Sequence, residues 1–151
     1  MFASVPTGCE VGGYAFNATH QAKLFMPTIL FIDDHTCSSH TLTHKLRACG
    51  YEVQVAPDAE EALTLFRLHP IDALVMDCHP EVPGREVIAP ALRQISTDVP
   101  ILMMSAFCHV PCRRLRYADA CIQKGDVTAL LTALRLLLRS RAYGLCRSVA
   151  A

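Results

Sequence analysis

A chain of 151 residues, 52% hydrophobic and 19% charged, is sized for one domain and has ample material for a core. Lys plus Arg and Asp plus Glu balance at 14 each, so no global field draws the chain to nucleic acid or to an anionic membrane. No segment reaches the roughly 20 apolar residues needed to span a bilayer, and no secretory signal opens the chain.

Residues 1–26 scatter Gly, Ser, Thr and Asn without a sustained period and read as an irregular extension, with the ordered domain over 27–142 and a short tail over 143–151. Met26 directly precedes the first strand and is a candidate translation start. Thr28 to Ile32 is an apolar run of strand length, as expected for a parallel strand covered on both faces. A helix follows from about Thr36 to Cys49, with Leu42, Leu46 and Cys49 on one face and Gly50 suited to the position just past its end. Tyr51 to Val55 reads as a second strand. Asp58 and Glu61 form a capping-box pattern opening a helix whose Ala62, Leu63 and Phe66 face a sheet.

Ile71 to Met76 and Val99 to Met104 read as further strands, joined by a helix that Pro90 kinks or delays. A short Arg-rich helix around Arg113, Arg114 and Arg116 precedes a brief strand at Ala120 to Ile122. In the last helix Val127, Leu130, Leu131, Leu134 and Leu138 recur with helical period. From Arg113 onward eight basic residues oppose two acidic ones, while the first 112 residues carry six basic against twelve acidic. With no aromatic residues interleaved, that basic end reads as a solvated helix face rather than a nucleic-acid patch.

Strands alternating with helices imply an α/β, doubly wound five-stranded parallel sheet with helices on both faces. Such sheets bind ligands beyond the carboxyl ends of their strands. The residues at those ends are Asp33 and Asp34, Asp77, Ser105 and Lys124. Clustered carboxylates repel unless a cation intervenes, and Mg²⁺ suits hard oxygen ligands shared with phosphate. An Asp carboxylate there can attack phosphorus while a hydroxyl and an ammonium stabilise the transferring oxygens.

Phe31-Ile-Asp-Asp34, Met76-Asp77, Met104-Ser-Ala106 and Gln123-Lys124-Gly125 together resemble the receiver domains of two-component response regulators, over about Thr28 to Ser140. The resemblance implies a flavodoxin-like fold and a phosphorelay module rather than a classical enzyme. In it Asp77 is the phosphoacceptor, Mg²⁺ is held by Asp33, Asp34, Asp77 and the main-chain carbonyl of His79, Ser105 hydrogen-bonds the phosphoryl group and Lys124 ion-pairs with it. It further implies a histidine kinase or phosphotransfer protein as donor. A downstream protein would recognise the face of the family's fourth helix, fifth strand and fifth helix. The sequence leaves homodimerisation open.

The chain departs from the family in several places. The loop from Asp77 to Gly84 is shorter than usual, and only 18 residues separate Ser105 from Lys124, consistent with loss of about a turn of helix. Cys121 stands where many members carry the Tyr or Phe that rotates inward on phosphorylation. Gly125 replaces the commoner proline, and with it the cis peptide that positions the lysine. These departures leave a pseudo-receiver, signalling by constitutive protein contacts, as the alternative reading. A phosphatase of the haloacid dehalogenase type is disfavoured, because its motif needs Asp-x-Asp where this chain has adjacent Asp33 and Asp34.

Eight cysteines lie inside periodic apolar segments and read as reduced thiols in a cytoplasmic protein rather than as four disulfides. Cys37, His40 and His44 share a helical face, and Cys108, His109 and Cys112 form a loop group. The first could present three zinc ligands but reads as an exposed polar face, and the second lacks a second ligand pair at a recognised zinc spacing. Cys78, beside the acidic cluster, is assigned to packing.

Overall fold

The computed structural model describes residues 26–33, 36–78, 87–106 and 116–142. Four parts of the sequence reading lie outside the described residues. These are the extension before Met26, Asp34 with His79, most of the Arg-rich helix with the Cys108 group, and the tail. Five strands, β1 (Thr28–Ile32), β2 (Glu52–Ala56), β3 (Ala73–Cys78), β4 (Ile101–Ser105) and β5 (Ala120–Gln123), form one parallel sheet in the order β2-β1-β3-β4-β5. Four helices are described: α1 (Thr36–Ala48), α2 (Ala59–Leu68), α3 (Ile88–Ile95) and α4 (Val127–Ala142).

β1 lies inside the sheet and every one of its residues is buried, which is why its run carries no polar alternation. Its odd-numbered side chains, Ile29 and Phe31, pack with Ala73, Val75, Leu102 and Met104 under Leu46 of α1 and Leu130 and Leu134 of α4. The even-numbered Leu30 and Ile32 pack with Leu74, Met76, Ile101 and Met103 under Ala62 of α2 and Ile88, Ala89 and Leu92 of α3. The two clusters are the two faces of a doubly wound sheet. Among the described residues no helix is long and apolar enough to cross a membrane.

Local chemistry sets the ends of the helices. α1 closes in a Schellman arrangement: Tyr51 N donates to Leu46 O at 3.2 Å and Gly50 N to Arg47 O at 3.0 Å, with Gly50 at φ 90°. Leu46 and Tyr51 then meet in the core. Cys49 was expected on the buried stripe but is exposed, because it sits in the turn where the helix unwinds. At α2 the Asp58 carboxylate accepts from Glu61 N at 2.8 Å. α3 starts at Ile88, which puts Pro90 in its first turn, where a missing N–H breaks no helical bond.

Two arginines rivet the amino-terminal edge of the sheet, opposite the acidic end. Arg93 of α3 donates to the Tyr117, Thr97 and Val99 carbonyls and pairs with Asp119 at 2.5 Å. The same Asp119 oxygen accepts from Ile101 N at 2.7 Å. Arg141 of α4 reaches the Ile71 and Asp72 carbonyls and the Asp72 carboxylate, which in turn accepts from Thr28 N at 2.9 Å. Arg141 is therefore structural. Arg135 and Arg139 are exposed, in keeping with a solvated face.

Candidate functional site

The register decides what meets at the carboxyl edge. β1 pairs Ile32 with Met76 of β3, so the next residue of each chain places Asp33 beside Asp77. Both continue the odd-numbered rows, and neighbouring strands lie only about 4.8 Å apart. This is the point where the strand order reverses direction, the crevice that doubly wound sheets use for ligands. β3 also runs further than its apolar stretch. The strand was expected to end at Met76, yet the ladder to β4 continues through Asp77↔Met104 and Cys78↔Ser105. The carboxylate therefore sits in the sheet rather than on a loop.

Burial follows from that placement: Asp77 is 1% and Asp33 5% exposed. A buried carboxylate is tolerated only with a partner, and the Lys124 ammonium provides one by pairing with Asp77 Oδ2. The other oxygen, Oδ1, is fully buried. Asp33 is fixed through its main chain, its N–H donating to Ala56 O of β2 at 3.1 Å.

Lys124 lies just past β5, and its N–H donates to Ser105 O at 2.8 Å, joining the ends of β4 and β5. Ser105 is itself 3% exposed. A cavity of about 230 Å³ opens beside these groups, between α1 and the start of α4, with Asp33, Lys45 and Lys124 on its wall.

Of the sequence-derived set, Asp33, Asp77, Ser105 and Lys124 converge at one edge, while Asp34 and His79 lie outside the described residues. His40 and His44 are exposed, and the described residues hold no group of three or more potential metal-ligating side chains. Cys121 is exposed on β5. The donor set at the edge is chemically right for Mg²⁺. Two adjacent buried carboxylates offer the hard oxygens that Mg²⁺ prefers and can share it with the oxygens of a phosphate. The cavity and the Arg93 and Arg141 rivets were not foreseen, because nothing in an isolated arginine on a helix distinguishes a surface charge from a buried clamp.

Residues 29–142 match the family model of the response regulator receiver domain. The transcriptional regulatory protein PrrA of Mycobacterium tuberculosis is 34% identical over 119 residues, 76% of this chain and 51% of the relative. The response regulator MprA of Mycolicibacterium vanbaalenii is 38% identical over 79 residues, 52% of this chain and 34% of that protein. The chain thus spans about half, or less, of the length of these curated relatives. Among solved structures, the response regulator TrrA of Thermotoga maritima, in complex with Mg²⁺-BeF, superposes with a TM-score of 0.67 at 27% identity, over 74% of this chain and 99% of TrrA. TrrA has also been solved with the histidine kinase ThkA, at the same TM-score and identity, over 75% of this chain and 99% of TrrA. A CheY-like receiver domain from Methanospirillum hungatei shares the fold at TM-score 0.71 and 21% identity, over 79% of this chain and 98% of that one. With the odd-even packing of its five-stranded sheet and the acidic edge built on it, the chain belongs to the response regulator receiver domain family.

Proposed function

We propose that residues 27–142 act as the phosphoacceptor module of a two-component phosphorelay, taking a phosphoryl group on Asp77 from a histidine kinase or phosphotransfer protein. The observation that carries this reading is the Lys124–Asp77 ion pair at the carboxyl edge, with buried Asp33 in the neighbouring register. TrrA, the neighbour solved both with a histidine kinase and with Mg²⁺-BeF, supports the donor class and the metal.

In the transfer an Asp77 carboxylate oxygen forms a bond to phosphorus as the bond from phosphorus to the donor breaks, its electron pair leaving with the donor. Lys124 then passes from the carboxylate to the phosphoryl oxygens, and the Ser105 hydroxyl donates to them. Asp33, Asp34, Asp77 and the His79 carbonyl, the set implied by the family resemblance, would hold Mg²⁺, which would supply charge neutralisation. The phosphorylated form would pass its signal to a downstream protein by contact.

Beryllofluoride with Mg²⁺ tests this directly. Amide NMR signals of Ser105 and Ala106 are expected to move strongly, and those of Cys121 and Ile122 only weakly. Cys121 is exposed and lacks the bulk to fill space vacated near the site. No response at saturating beryllofluoride would favour the pseudo-receiver. Equal shifts running through β5 into α4 would show a fully coupled switch.

A further inference from the structure

We propose that Gly125 is a positioning residue for Lys124, acting through a left-handed turn that aims the ammonium at Asp77. The proposal rests on the phosphoacceptor reading for its consequence, but the geometry stands on its own. Asp126 N donates to Gln123 O at 3.1 Å, closing a four-residue turn with Lys124 and Gly125 at its centre. Gly125 has φ 94°, and no described non-glycine residue has positive φ. Negative φ followed by a positive-φ glycine is the type II pattern.

Both ends of the turn are anchored. Lys124 N holds Ser105 O at 2.8 Å, and the Asp126 carboxylate caps α4 by accepting from Ala129 N at 2.8 Å. The direction of the Lys124 side chain therefore depends on the torsion between those anchors, which only glycine adopts readily. The Lys124 side chain is 27% exposed and lines the cavity of about 230 Å³, so a relaxed turn has room to swing the ammonium away from Asp77. The Cβ of an L residue at position 125 would meet nothing within 4 Å, so the effect of an L substitution is torsional rather than steric.

The positive φ of Gly125 allows a chiral test. Ligation at the native Cys121 yields the full chain with L-alanine or D-alanine at position 125, two residues of equal size and opposite φ preference. Mg²⁺-beryllofluoride affinity is expected to fall about five- to thirtyfold with L-alanine, the population cost of an L side chain at positive φ. With D-alanine it should stay within about twofold of the glycine protein. In a Lys124→Ala background the L-alanine change should add less than about a further twofold, since the group it misaims is gone.

The ligand-free protein supplies a second readout, the ¹³C signal of the Asp77 carboxyl carbon. It should move with L-alanine toward its position in Lys124→Ala and stay in place with D-alanine. If the glycine protein binds no beryllofluoride, the phosphoacceptor reading falls, and the carboxyl signal still decides the role of the turn. Equal effects of the two enantiomers, an unmoved carboxyl signal with L-alanine, or a full additional loss in the Lys124→Ala background would each overturn the proposal.

Discussion

Asp77→Asn is expected to leave a folded chain that takes up no detectable phosphoryl group from a small donor with Mg²⁺. Asparagine matches aspartate in shape, so it fills the same buried position, 1% exposed. Its amide oxygen, however, is not a nucleophile that can form an acyl phosphate. Stability should change by only about 1 kcal/mol, because two effects oppose each other. The Lys124 pairing is lost at a site where that side chain is partly solvated. At the same time, repulsion from the adjacent Asp33 carboxylate is relieved. Intact mass after donor treatment and a urea melt check the two halves separately. A wild-type level of adduct in the variant would place the acceptor elsewhere.

Arg93→Ala should lower stability by about 3–5 kcal/mol, the usual effect of breaking a buried pair from one side. The Asp119 side chain is only 2% exposed, so truncation takes the guanidinium away from a buried carboxylate. Three carbonyls, those of Thr97, Val99 and Tyr117, lose their donor as well. Against a total of roughly 5–15 kcal/mol for a domain, that is a large share, read as a fall in melting temperature of about 10–20 °C. Replacing both partners, as Arg93→Met with Asp119→Leu, should recover part of it, because no buried charge is then left alone. A single-variant loss below about 1 kcal/mol would mean that the pair behaves as a surface contact.

The acidic edge was legible in the sequence for a physical reason. A parallel strand covered on both faces must be apolar throughout, so the place where each run stops marks the sheet edge. Asp33, Asp77, Ser105 and Lys124 all sit at such stops. The same rule misjudged the length of β3, because its ladder continues past Met76 to Cys78. Apolarity reports burial, whereas pairing is set by the neighbouring strand.

Helix periodicity found Leu46, Leu130 and Leu134, but it carried Cys49 one turn too far, past the point where the Gly50 cap ends α1. The rivets were illegible because their partners lie 26 and 69 residues away in the chain. Only the fold reveals that Arg141 reaches Asp72 while Arg139, two positions earlier, faces water. Gly125 was visible as a departure from the family's proline. Its left-handed torsion, and the turn that uses it, required the backbone.

The most direct test of the phosphoacceptor account is to map the modified residue. The chain is treated with Mg²⁺ and acetyl phosphate, its intact mass is measured, and the adduct is then reduced with borohydride, which converts an aspartyl phosphate to homoserine. The account predicts one adduct of about 80 Da, dependent on Mg²⁺ and labile in base, with homoserine found at position 77 alone. No adduct at saturating donor, or homoserine at any other aspartate, would contradict it.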